Sequence, residues 1–260
     1  MTKFIHDFKV LQNREVSKGY HVLVLQCLQQ LPAIFPGQFA QLLVENSPST
    51  YLRRPISIYD VDPVENTISL LVKVVGSGTA HISALQEGNT LNLVYPLGNS
   101  FSLPEGKKVL LVGGGVGIAP MLLLSKFIHS HGKEVSVLIG GRTSADIIEP
   151  DQYAKYATVG ITTEDGSLGH KGLVTTHSYF DSVGKYSMIY ACGPDPMMKA
   201  VAGIATRAGI PCEVSLENLM ACGIGACLCC IAETTSGNKT TCVDGPVFNV
   251  KDLSGWDRSK

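Results

Sequence analysis

Lys108-Val-Leu-Leu-Val-Gly-Gly-Gly-Val-Gly-Ile-Ala-Pro120 is the stretch on which the reading of this chain turns. A short β-branched and apolar run enters a glycine loop, and apolar helix formers follow. Strand, glycine loop and helix together build a phosphate site. Glycine lets the backbone approach the ligand, and the helix N-terminus supplies N–H donors and the positive end of its dipole. The match to G-x-G-x-x-G is imperfect, failing at Ile118 from one start and ending on Pro120 from the other. Alone, such a loop also suits a plain structural turn. A second strand, tight turn and helix at Ile189-Tyr-Ala-Cys-Gly-Pro-Asp-Pro-Met197 strengthens the nucleotide reading. Both loops would open at the carboxyl ends of parallel strands, where such sheets bind ligands.

Around this centre the pattern divides. Upstream, residues 20–27, 38–44, 56–59, 67–75 and 90–94 read as short strands. Turn residues separate them at Pro48, at 60–63 and at Gly88-Asn89. Even spacing of short strands predicts a small antiparallel barrel. Downstream of Leu103-Pro-Glu-Gly106, strands expected at 108–112, 135–139, 158–163, 187–190 and 213–216 alternate with helical stretches such as 119–131. That alternation predicts a parallel sheet with helices on both faces. The last forty-odd residues are irregular and cysteine-rich and read as a small appended module. The expected boundaries are 1–104, 105–213 and 214–260.

Five of the eight cysteines fall between Cys212 and Cys230. The spacing Cys222-x4-Cys227-x2-Cys230-x11-Cys242 is that of plant-type [2Fe–2S] clusters, in which each of two irons takes two thiolates. Gly223 and Gly225 allow the loop to curl so that backbone N–H groups face sulfur. Structural zinc also takes four thiolates, but its sites show two short knuckles and this chain has one. Cys229 adjoins Cys230 and fits no position of the template, which leaves the ligand set slightly open. Cys27 reads as core, and Cys212 has no assigned role.

Composition excludes other classes. The 260 residues are 45% hydrophobic and 17% charged, with a formal net charge of −1 and no basic run, so nothing invites nucleic acid. Lys3 and Asp7 interrupt any signal-like apolar run near the N-terminus. The uncharged stretch 109–125 is broken by glycines and Pro120, which argues against a membrane span. The expectation is a soluble, cytoplasmic protein in which cysteines bind metal rather than form disulfides.

Two further segments are ambiguous by themselves. Arg53-Arg54-Pro55-Ile56-Ser57 places two cations and a hydroxyl together, and Gly76-Ser77-Gly78-Thr79 reads as a small-residue loop. They are equally an anion site and a solvated pair beside a turn. Taken with the cysteine and glycine loops, they resemble the ferredoxin–NADP reductase superfamily over essentially the whole chain. Within it they resemble the electron-transfer subunits of NAD-dependent (class 1B) dihydroorotate dehydrogenases.

The resemblance implies a multidomain fold: an FAD-binding antiparallel β-barrel, an α/β parallel-sheet nucleotide-binding domain and a C-terminal [2Fe–2S] module. It implies FAD contacts at Arg54, Pro55, Ile56, Ser57, Leu71, Val72, Lys73, Gly78 and Thr79. Nicotinamide-nucleotide contacts would be Gly113, Gly114, Gly115, Gly117, Cys192, Gly193 and Pro194. Residues 217–230 match the family's cluster loop. Cys222 stands where related transhydrogenase and sulfide dehydrogenase subunits often carry Asp, which favours the dihydroorotate branch.

It further implies a relay in pyrimidine biosynthesis. Electrons from the FMN of a catalytic partner would pass through the cluster and FAD to NAD⁺, in a two-plus-two heterotetramer. No stretch resembles an FMN-binding barrel, which needs about 250 residues, and no general acid or base is expected here. The alternative is an iron–sulfur flavoprotein reductase subunit serving a sulfide dehydrogenase, hydrogenase or oxygenase. Arg142, after the second strand of the nucleotide domain, raises the question of NADP.

Overall fold

The computed structural model describes residues 2–45 and 50–256; the turn expected at Pro48 lies outside them. Six strands close into an antiparallel barrel in the order β1-β2-β5-β4-β3-β6. They are β1 (Phe4–Ser17), β2 (Tyr20–Cys27), β3 (Phe39–Leu42), β4 (Arg54–Asp62), β5 (Thr67–Lys73) and β6 (Thr90–Leu97). β1 was not expected as a strand. Its sequence is largely polar, only Phe8 and Val10 are fully buried along it, and its pairing with β2 shifts register twice. The barrel interior is filled by alternate residues, among them Leu23, Leu25, Ala40, Leu42, Leu70 and Val72, as a period of two requires. Residues 76–79, expected as a loop, instead start the short helix α1 (Ser77–Ser83), with Gly76 as its cap.

The second layer is a seven-stranded sheet ordered β10-β9-β8-β7-β11-β12-β15. Its members are β7 (Lys108–Gly114), β8 (Glu134–Gly141), β9 (Thr158–Thr163), β10 (His170–Lys171), β11 (Met188–Cys192), β12 (Cys212–Ser215) and β15 (Val247–Asn249). All neighbours are parallel except β12 and β15. α2 (Ala119–Ser130), α3 (Pro150–Ala154) and α4 (Asp195–Arg207) connect them. Alternate residues of β7 serve opposite faces. Val109 and Leu111 join a core with α2, Tyr20, Tyr59 and Leu71, so barrel and sheet meet across one apolar layer. Leu110 and Val112 face α4.

The C-terminal segment carries a hairpin, β13 (Ile231–Thr234) with β14 (Gly237–Thr240). It is more than an appendage. β15 pairs antiparallel with β12, and Phe248, Val250, Leu253 and Trp256 complete the α4-side core. Residues 214–260 therefore share a sheet with 105–213. No helix among the described residues is long and apolar enough to cross a membrane.

Candidate functional site

The sheet reverses direction of winding at β7, whose neighbours are β8 and β11. Loops leaving β7 and β11 therefore meet at the switch point, where a crevice opens. They interlock closely. A Cβ on Gly117 would fall 2.5 Å from Gly193 Cα, and one on Gly114 would fall 2.6 Å from Met197 Sδ. Gly193, at φ +147, lies against the backbone of Gly114. A Cβ on Gly115, at φ +54, would meet the Tyr20 hydroxyl at 3.8 Å. A cavity of about 740 Å³ lies here, lined by Gly114, Gly115, Gly117, Gly193 and Pro194 among others. That volume is in the range of cofactor pockets. Gly113 and Cys192 are buried behind the wall, and burial pushes the Cys192 thiol far above its ordinary range.

One wall of the cavity joins the barrel to the sheet. Tyr20 donates its hydroxyl to Asp146 Oδ1 at 2.6 Å, and Lys73 Nζ stands 3.5 Å from the same oxygen and 4.7 Å from the Tyr20 ring centre. Asp146 Oδ2 accepts the backbone N–H groups of Arg142 (3.1 Å) and Thr143 (3.4 Å). Burial works against the Asp146 charge. The Tyr20 hydroxyl, these N–H groups and Lys73 outweigh it and hold the carboxyl below its usual range. Arg142 is exposed at the rim. Glu217 stands at the cavity wall, reachable by water but crowded by protein. Desolvation, with repulsion from Asp195, raises its carboxyl above the ordinary value.

The barrel segments singled out from the sequence meet across a gap. β4 and β5 pair from Ile58/Leu70 to Asp62/Thr67 and then part. Arg54, Pro55, Ile56 and Ser57 keep only β3 as partner, and Leu71, Val72 and Lys73 keep only β2. The two stretches flank the opening. Leu71 and Val72 commit their side chains to the cores, while Lys73 reaches the cavity.

The two arginines separate. Arg53 is a brace, donating to Gln41 O, Asn92 O and Asn92 Oδ1. Arg54 donates to the Leu52 carbonyl at 2.9 Å and lies across Gly78, where a Cβ would stand 2.6 Å from its Nε. Thr79 Oγ1 accepts the N–H groups of Val75 and Gly76 and so caps α1.

The cysteines form two pairs. Cys222 neighbours Cys227, and its sulfur accepts the N–H groups of Ile224 and Cys227, each at 3.4 Å. Cys230 neighbours Cys242, whose N–H reaches the Cys230 sulfur at 3.4 Å. Gly223 (φ +69), Gly225 (φ +85) and Leu228 (φ +57) supply the left-handed turns of the curled loop. Burial opposes ionisation of Cys222. The N–H groups of Ile224, Cys227 and Ala226 more than compensate and bring its thiol down to about 6. At Cys242, burial and the neighbouring Cys230 push the thiol up to about 12.

The second pair is buried against Phe39 and Leu97 of the barrel; Cys227 and Cys229 are exposed. Among the described residues no three His, Cys, Asp or Glu side chains gather around one point fit for a single ion. Two thiol pairs with N–H groups aimed at sulfur fit a two-iron cluster, which takes two thiolates per iron. A zinc site would draw all four to one centre.

Sequence reasoning missed Tyr20, Phe39, Gln41 and Asp146. Each lies in an ordinary strand or turn pattern and reaches the site only through tertiary contact. Glu217 appeared only as the first residue of the cysteine loop.

Residues 217–254 match the model of the iron–sulfur cluster binding domain of dihydroorotate dehydrogenase B, and residues 111–203 match the oxidoreductase NAD-binding domain. The dihydroorotate dehydrogenase B (NAD⁺) electron transfer subunit of Caldanaerobacter subterraneus subsp. tengcongensis is 38% identical over 249 residues, 94% of this chain and 96% of the relative. That of Clostridium perfringens is 38% identical over 93% of this chain and 94% of its own. Among solved structures, an NADH-dependent reduced ferredoxin–NADP oxidoreductase studied for flavin-based electron bifurcation superposes with TM-score 0.85 and 30% identity. The match covers 95% of this chain and 89% of that one. The ferredoxin reductase of carbazole 1,9a-dioxygenase shares the fold, with TM-score 0.70 and 20% identity over 81% of this chain and 67% of that one.

Proposed function

This chain belongs to the family of the electron transfer subunits of dihydroorotate dehydrogenase B (NAD⁺), and from that membership we propose that it carries electrons from a catalytic partner subunit through a [2Fe–2S] cluster and FAD to NAD⁺. When bound, the cluster supplies one-electron transfer, FAD joins single electrons to hydride transfer, and NAD⁺ takes the hydride.

The chain's own residues bind and orient. Cys222 and Cys227 hold one iron, and Cys230 and Cys242 the other. Arg54, lying over Gly78, takes the FAD diphosphate, because a guanidinium fork matches phosphate oxygens. Pro55, Ile56 and Ser57 on one side of the β4/β5 gap, and Leu71, Val72 and Lys73 on the other, line the flavin with main chain, the Ser57 hydroxyl and the Lys73 ammonium. Thr79 keeps α1 in place. Gly114, Gly115, Gly117, Gly193 and Pro194 form the nicotinamide-nucleotide cleft, with Gly113 and Cys192 supporting it from behind. The division at 1–104, 105–213 and 214–260 serves as the assignment of these three tasks.

One observation carries this reading. Cys230 and Cys242 pack on Phe39 of β3, and β3 pairs residue by residue with Arg54–Ser57 of β4. The cysteine loop thus packs on the strand next to the proposed flavin segment, a short path for an electron. On the other side of the loop, Leu219, Ile224, Leu228 and Val243 expose apolar side chains. A partner that brings an FMN up to the cluster would cover them, in a two-plus-two assembly.

The test is anaerobic co-expression with an FMN-containing dihydroorotate dehydrogenase catalytic subunit, followed by flavin and iron analysis and by dihydroorotate-dependent NAD⁺ reduction. Iron at two per chain, FAD on this chain and FMN on the partner are expected. If no partner mixture reduces NAD⁺ with dihydroorotate, the reading fails. Repeating the assay with NADP⁺ shows whether the exposed Arg142 selects a 2′-phosphate.

A further inference from the structure

Gln41 is a buried amide with no hydrogen-bond partner among the described residues. It lies on β3 two residues from Phe39, so both side chains point to the outer face of the barrel, while Ala40 and Leu42 fill its interior. Phe39 meets Cys230 and Cys242. Gln41 meets the other half of the loop: a Cβ on Gly223, the residue after Cys222, would stand 2.7 Å from Gln41 Nε2. The residue is 0% exposed, and neither Nε2 nor Oε1 has a hydrogen-bond partner among the described residues. Its main-chain carbonyl, by contrast, is held by Arg53. Buried carboxamides without partners are rare, and each calls for an explanation. Here the explanation is local, because the space beside the amide is the curled loop whose four thiols fit a cluster.

Resting on the electron-transfer reading above, we propose that Gln41 is a positioning residue for the iron–sulfur centre: its side-chain N–H donates to a sulfur of the bound cluster. Such a donor has two effects. It ties the loop, which is otherwise exposed around Cys227, to a rigid barrel strand. It also favours the reduced cluster, which carries the additional negative charge, and so raises the reduction potential. Gln41 pairs with Pro55 of the proposed flavin segment, so it stands between the cysteine loop and the flavin.

The experiment uses the anaerobically purified complex with its catalytic partner. Wild-type protein labelled with 15N at the glutamine side-chain amide is reduced, and pulsed paramagnetic resonance reads nitrogen coupling to the cluster. Coupling is expected in wild type and absent in Gln41→Met, which keeps the side chain's length without the donor. Redox titration of Gln41→Met should show the reduced-to-oxidised ratio of the cluster falling about tenfold at a fixed potential, about 59 mV for one electron. Gln41→Glu should shift it further in the same direction. FAD content reports whether each variant has folded, and if neither folds the labelled wild type decides alone. Iron-loaded wild type without the nitrogen coupling overturns this proposal and leaves the electron-transfer reading intact. So does an unchanged cluster potential in folded variants, or a shift confined to the flavin. Iron-free wild type sinks the electron-transfer reading and this proposal with it.

Discussion

The nucleotide loops and the cysteine loop are both rich in glycine, for opposite reasons. At the nucleotide loops Gly117 and Gly193 are wedged: the space a Cβ would need at Gly117 is filled by the backbone of Cys192 and Gly193, and Gly193 lies against that of Gly114. Backbone cannot move aside, so these glycines are demanded by packing. At the cysteine loop the glycines are turned. Gly223 and Gly225 have positive φ, and their nearest neighbours are the side chains of Gln41 and Val243. There the demand is conformational, and it serves to bring N–H groups to sulfur. One demand comes from backbone packing, the other from the turns that face sulfur. Metal binding and local folding are linked in such a loop.

The largest effect that would sharpen this contrast is loss of a thiol. Cys242→Ser should lose its iron and lower cluster-dependent electron flow more than about 100-fold, since even indirect changes around a metal cost ~10–100-fold. FAD should stay bound, because its proposed contacts lie on β4, β5 and α1 and none of them is on the cysteine loop. Iron analysis beside flavin analysis reads both, and retention of iron would break the ligand assignment.

Gly117→Ala comes next. The clash with Gly193 should cost about 1–3 kcal/mol and raise the KM for NADH. Thermal unfolding and kinetics check it, and iron content should not change.

Asp146→Asn tests the bridge from cavity wall to barrel and should cost about 1.5 kcal/mol at neutral pH, as expected for hydrogen bonds to a charged group. The folded carboxyl lies below its ordinary value. Its contribution is therefore complete above about pH 4 and is lost as pH falls through the lower folded value, so wild type and variant should converge in acid.

The smallest effect is at Cys229, which is exposed and outside both thiol pairs. Cys229→Ala should change stability by less than about 0.5 kcal/mol and leave iron content as it was. Iron loss there would redraw the pairs.

Much of this was legible in the sequence where the chain speaks locally. β2 and β9 fall where their apolar runs predict, and the cysteine spacing implied two irons before any pairing was seen. β1 stayed hidden because only Phe8 and Val10 are fully buried along it, so its alternation has few apolar members. α1 was read as a loop because glycine and serine dominate its first turn. Arg53 and Arg54 are adjacent and chemically alike, and only the fold assigns one to bracing and the other to the gap beside Gly78. Gln41 is silent in sequence, since a single glutamine in a strand carries no pattern. Its meaning comes from Gly223, 182 positions later in the chain.

The pairing of β15 with β12 has a consequence for how the protein tolerates cutting. A parallel sheet ending at β12 would present an open row of N–H and C=O groups, the kind of margin that recruits strands from other molecules. β15 covers that margin from within the same chain, and the Leu216 N–H adds a bond to the Pro246 carbonyl. Trimming away the iron-binding segment to isolate the nucleotide domain would therefore strip a protective selvedge. The shortened piece would be prone to self-association even though both glycine loops of its cleft remained.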